Sequence, residues 1–169
     1  MVRESIVLIG MAGAGKSTIG LKLARALKYS FIDLDEYIQE KEHRTLQQII
    51  DTEGEEALLR LEKQRLYEID LKHVVIAPGG SIIYSPELMK YIKQHSVLVY
   101  IDETYKRIEK RLNNALTRGI VGLKGKTLRE IYEERRPLYA GYADITVAPK
   151  GRAQKQVIEE ILNHYFDLR

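Results

Sequence analysis

Between residues 10 and 18 the chain reads Gly-Met-Ala-Gly-Ala-Gly-Lys-Ser-Thr. Gly10, Gly15, Lys16 and Ser17 fit the pattern G-x-x-x-x-G-K-[ST] in full, directly after the apolar run Ser5–Ile9. So much backbone freedom ahead of one lysine suits a loop whose amides touch a ligand. Gly13, Ala14 and Gly15 can turn successive N–H groups inward, and a helix opening near Lys16 adds the positive end of its dipole. Lys16 then reaches the β- and γ-phosphates, Ser17 offers a hydroxyl to Mg²⁺, and Thr18 stands beside it in the first helical turn. The loop is read as wrapping a nucleotide triphosphate, whether to hydrolyse it, transfer from it or sense it.

A second cluster follows in Phe31-Ile32-Asp33-Leu34-Asp35. An i, i+2 spacing puts both carboxylates on one face of an extended segment. One can hold Mg²⁺ through water while the other accepts a proton from a hydroxyl. Alternatively Asp35 simply caps a helix starting at Glu36.

Such groups need elements to converge them. Strand-like runs occur at Ile6–Ile9, Val74–Ala77 and Val97–Ile101, with weaker ones at Ser30–Ile32 and Ile145–Val147. Helical spacing links Ile19, Leu23 and Leu27. It also links Leu58, Leu61, Arg65, Leu66 and Ile69, and again Val157, Ile158, Ile161, Leu162 and Tyr165. Glu53–Glu56 reads as a solvated helix start favoured by the dipole. Apolar strands alternating with amphipathic helices predict an α/β fold whose parallel sheet is covered on both faces, with ligands at the carboxyl ends of the strands.

With 169 residues the chain is expected to form one domain, 1–169. Apolar residues make up 44% and charged residues 30%, an ordinary globular balance. A net charge of +3, with basic residues spread among acidic ones, argues against a nucleic-acid partner. Cysteine is absent, which excludes disulfides and thiolate chemistry. His43, His73, His95 and His164 show no ligand spacing. No apolar run approaches the roughly 20 residues that span a bilayer. These features predict a cytoplasmic protein with no membrane partner.

The glycine-rich loop, the F-x-D-x-D pair, the segment Ala77-Pro78-Gly79-Gly80-Ser81 and Arg135-Arg136-Pro137-Leu138-Tyr139 together resemble the shikimate kinase family, from about Ile6 to the last helix. The resemblance implies a P-loop three-layer α/β/α fold with a five-stranded parallel sheet and a mobile lid at about 112–125. It also implies transfer of the ATP γ-phosphate to a hydroxyl of shikimate, with Mg²⁺, in the route to chorismate, by a monomer. Carried over by position, Asp33 organises Mg²⁺ with Ser17, and Asp35 binds the substrate hydroxyls and serves as base. Gly79, Gly80 and Ser81 line the substrate pocket, and Arg135 grips the substrate carboxylate through its planar fork. Arg111 packs on the adenine or, alternatively, is a solvated helix residue paired with Glu109 or nearby acids. Arg118, with Gly119, Gly122 and Gly125 nearby, swings over the phosphates as the lid closes and joins Lys16 and Asp35 in the catalytic set.

The family pattern is broken at three places. Proline replaces the usual threonine at 78, and Ser81 stands where the family has a third glycine. In Gly54-Glu55-Glu56-Ala57-Leu58-Leu59-Arg60-Leu61-Glu62 the second carboxylate-clamping arginine is replaced by Leu59. Arg60 lies about 100° further round the helix. Losing one charge-assisted contact costs about 1.5–3 kcal/mol of binding. Two alternatives follow: the same chemistry on another polyol or sugar acid, or a nucleotide-binding regulatory module.

Overall fold

The computed structural model describes residues 3–114, 122 and 125–169. Five strands are described: β1 (Ile6–Ile9), β2 (Ser30–Asp33), β3 (Val74–Ala77), β4 (Val97–Ile101) and β5 (Ile145–Val147). They form one sheet in the order β2-β3-β1-β4-β5, every pair parallel.

Side-chain alternation explains the layers. Val7, Ile9, Val74, Ile76, Leu98 and Tyr100 face one core, while Ile6, Leu8, Val75, Val97, Val99 and Ile101 face the other. Both faces are dry, so β1, β3 and β4 read as unbroken apolar runs. Helices α1 (Lys16–Leu27) and α8 (Gln154–Asp167) supply Leu23, Ile161 and Tyr165 to the second core. The first core is closed by α2 (Leu34–Glu42), α3 (Leu46–Glu53), α4 (Glu55–Tyr67), α5 (Pro86–His95) and α7 (Leu128–Tyr142). Helix α6 (Tyr105–Asn114) adds Ile108, and a 3-10 turn spans Gly80–Tyr84.

Several boundaries differ from the sequence reading. Strand β2 runs to Asp33 and α2 begins at Leu34, so Asp35 sits in a helical first turn rather than in an extended segment. Asp33, not Asp35, is the cap: its Oδ1 accepts from the amides of Asp35 (3.1 Å) and Glu36 (3.2 Å). The acidic run 53–56 is not one helix start. Glu53 closes α3, Gly54 breaks the chain with φ 85°, and Glu55 opens α4. Ile69 lies beyond the end of α4 but is still buried. Arg118 and Gly119 lie outside the described residues. Within the lid range 112–125, Gly122 donates its amide to Glu55 Oε1 at 2.9 Å.

The sheet order brings the site elements together. Asp33 is paired with Ala77, which sets the acidic pair beside the turn after β3. Strand β1 has β3 on one side and β4 on the other, the crevice where such sheets bind ligands. Helix α7 is fixed at its start by a reciprocal capping box between Thr127 and Glu130. Thr127→Ala is expected to cost about 1 kcal/mol of stability, read by urea unfolding.

Candidate active site

The loop after β1 turns through Gly15, whose φ of 97° is the left-handed conformation that disfavours any side chain. Gly15 occupies the N-cap of α1 with no side-chain cap, so the first amides of that helix remain open toward a ligand. Lys16 is 8% exposed, and its Nζ donates to the carbonyls of Gly10 (2.7 Å) and Met11 (2.9 Å). Burial pushes its ammonium down to about 8, against the opposing pull of Asp35 and Asp33. The Ser17 hydroxyl donates to Asp33 Oδ2.

Across the cleft, the turn after β3 carries Gly79, Gly80 and Ser81. A Cβ at Gly79 would lie 2.3 Å from Glu62 Oε1 and 3.2 Å from Asp35 Oδ1, so only glycine lets these two carboxyl groups close on the turn. Ser81 donates to Glu62 Oε2 at 3.0 Å, and both residues are buried. Arg135, one of the largest fully buried side chains, comes from α7; its Nε donates to the Tyr84 hydroxyl at 3.3 Å. One turn further along α7, Tyr139 donates to the Gly80 carbonyl at 2.5 Å and fixes the turn from below.

One cleft of about 940 Å³ joins these groups. Residues 13–18 line it, as do Asp33, Asp35, the 79–81 turn, Arg111 and Arg135. Arg111 pairs with a nearby acid, Glu103 rather than Glu109. Its Nη1 donates to the Gly13 carbonyl at 2.7 Å and its Nη2 to buried Glu103 Oε2 at 3.3 Å, bracing the glycine-rich loop. Glu109 instead accepts from the Tyr105 hydroxyl. Leu59 packs against the core while Leu58 lines the cleft, and Arg60 is exposed beside Glu56.

Two groups escaped the sequence reading. Glu62 was visible only as part of a helix frame; its one signal is position, a carboxylate between Leu58 and Leu66 on the buried stripe. Glu103 follows β4 and carries no local signal, because its role depends on Arg111, eight residues away.

The donor set at the loop mouth consists of oxygens. Among the described residues, no group of three or more His, Cys, Asp or Glu side chains could hold a metal ion. Ser17 and Asp33 therefore fit a hard divalent cation that takes its remaining ligands from phosphate and water.

A loop built around phosphates, facing a carboxylate and a buried guanidinium across one cleft, is the layout of a P-loop kinase with a hydroxyl acceptor. The shikimate kinase family model matches residues 12–165. A shikimate kinase of Francisella tularensis subsp. novicida is 35% identical over 166 residues, covering 95% of this chain and 94% of its own. A solved shikimate kinase from Acinetobacter baumannii in complex with shikimate superposes with a TM-score of 0.84 at 28% identity, covering 97% of this chain and 93% of that one. The enzyme from Aquifex aeolicus gives 0.79 at 32%, with 96% of each chain covered. The chain belongs to the shikimate kinase family and is an ATP-dependent kinase.

Proposed function

We propose that this chain transfers the γ-phosphate of ATP to a hydroxyl of shikimate, in the route to chorismate and the aromatic amino acids. The observation that carries the reading is the convergence of Lys16, Asp35 and Arg135 on one cleft in a chain of this family. The related Acinetobacter baumannii structure, solved with shikimate, supports the same acceptor.

Arg135 holds the acceptor carboxylate, and the backbone of Gly79 and Gly80 with Ser81 packs the ring. Asp35 takes the hydroxyl proton as that oxygen bonds to the γ-phosphorus and the bond to the β-phosphate oxygen breaks, releasing ADP. The amides of 13–18 hold the phosphates. Lys16 leaves the carbonyls of Gly10 and Met11 to bind them, and Arg118 joins it on the developing charge. Ser17 and Asp33 would hold Mg²⁺, which when bound would neutralise phosphate charge. Residues 1–169 act as one domain with a lid at 112–125. Action as a monomer belongs to this reading, since no step in it calls on a residue of a second copy. Among the described residues no helix is long and apolar enough to cross a membrane, which fits a cytoplasmic enzyme.

Leu59 favours a second reading, the same transfer to another polyol or sugar acid. ADP release with Mg·ATP should be compared for shikimate and a panel of such compounds, with the product ester identified by phosphorus NMR. Shikimate-dependent release that EDTA abolishes is the expected result. No response to shikimate, with turnover of another acceptor, would overturn the first reading in favour of the second.

A further inference from the structure

Among the described residues, no lysine or arginine forms an ion pair with Glu62. Its side chain is 3% exposed in the wall of the cleft, yet Leu58 and Leu66, one turn away on either side, are apolar. The basic residues of α4 all turn elsewhere: Arg60 to Glu56, Lys63 to Glu87, and Arg65 to Glu42 and Glu68. From the other elements packed around it, the charged groups that face Glu62 among the described residues are Asp35 on α2, Arg135 on α7 and Lys16 on α1. Asp35 and Glu62 converge on Gly79: a Cβ built there would lie 2.3 Å from Glu62 Oε1 and 3.2 Å from Asp35 Oδ1, so these oxygens are no further apart than the sum of those distances. An anionic Glu62 would therefore stand against an anionic Asp35 in a dry wall, facing an acceptor that brings a carboxylate of its own. Two carboxylates sharing one site do not both ionise readily.

We propose that Glu62 stands in the acceptor wall as a neutral carboxylic acid, oriented by Ser81, and that its O–H donates a hydrogen bond to the bound acceptor beside Arg135. This rests on the acceptor reading given above. Asp35 remains the carboxylate that takes the proton, and Glu62 is the donor. Ser81 is a positioning residue; the side chain that replaces a glycine's hydrogen here holds the acid in place. Burial first, and then the charge of Asp35, push the Glu62 carboxyl up to about 8; the Ser81 bond, Arg135 and Lys16 pull the other way. Acceptor binding is thus strongest below that pH and weakens above it, as the donor becomes an anion.

Two measurements on the whole chain test this. Infrared difference spectra between wild type and Glu62→Gln, without ligands, should show a protonated carboxyl stretch at pH 6.5 that fades as pH rises through about 8. Absence of that band overturns the proposal whatever the acceptor is. Calorimetric titration with shikimate, without nucleotide, should give a Kd that rises about tenfold per pH unit above the break, as loss of one proton requires. The slope should vanish in Glu62→Gln and its onset should move to higher pH in Ser81→Ala, which a merely structural serine would not do. A slope that persists in Glu62→Gln belongs to Lys16, which titrates in the same range, and overturns the proposal, as does a flat wild-type profile. An infrared band with no shikimate binding at any pH would support the neutral acid and overturn the acceptor assignment alone.

Discussion

Asp35→Asn is expected to lower kcat by about 10²- to 10⁴-fold, the range for loss of a general base. The substitution is nearly isosteric, and the cap of α2 does not depend on the lost charge. The helix start depends on Asp33, whose Oδ1 accepts from the backbone amides of residues 35 and 36, and both amides survive the change. Asparagine keeps a hydrogen bond to the acceptor hydroxyl but cannot take its proton, so kcat should fall far more than either KM. Steady-state kinetics in both substrates checks this; a loss below tenfold would remove Asp35 from the base role. The variant also has a second readout. The charge of Asp35 helps to hold the Glu62 proton on, so Glu62 should ionise at lower pH in Asp35→Asn. General loosening of the site would lower the break as well, by undoing the burial, so the opposite shift expected in Arg135→Met below is the control.

What could be read from the chain beforehand was whatever a local pattern encodes. The glycine-rich loop is nine consecutive residues in which spacing, flanking strand and following helix agree, and it stands where expected at the end of β1. The strands were legible because a parallel sheet dry on both faces leaves runs such as Val97–Ile101 with no polar interruption. The fold class followed from their alternation with helices. What failed was decided by partners far away in sequence. Asp33 and Asp35 are equally good caps by composition, and only the end of β2, set by pairing with β3, selects Asp33. The short polar helices α2 and α3 have little periodic signal in nine and eight residues, and they form by packing on α4. Arg111 meets the Gly13 carbonyl across 98 residues, and Ser81 meets Glu62 across 19. No window of the sequence contains either pair. Glu62 is the clearest case: the helix pattern places it on the buried stripe, but its chemistry depends on Asp35 and Ser81 arriving from two other elements.

Arg135→Met is expected to weaken shikimate binding by about 2–5 kcal/mol, roughly 30- to several-thousand-fold, because it strips a desolvated charge pair of one partner. Arg135 is 1% exposed, so its attraction for a carboxylate is not diluted by water as a surface arginine's would be. Methionine has similar length but gives up the donation to the Tyr84 hydroxyl and the cation facing Glu62, so thermal stability should fall as well. Acceptor affinity should collapse in protein that is still folded while nucleotide affinity holds, and that contrast separates a binding role from a structural one. Nucleotide affinity is the internal control, since the proposed function gives the ATP side of the cleft to residues 13–18. Arg135→Lys should also be poor. It restores the charge but not the fork that donates from Nε to the Tyr84 hydroxyl while presenting its other nitrogens to the acceptor. Removing the cation has one more consequence. Arg135 pulls the Glu62 carboxyl downward, so in Arg135→Met the infrared break should move to higher pH, opposite to its shift in Asp35→Asn. Opposite shifts from the two variants would show one wall in which a cation, a carboxylate and a neutral acid are tuned against one another. Shifts in the same direction would mean that Glu62 responds to general loosening of the cleft rather than to these two charges.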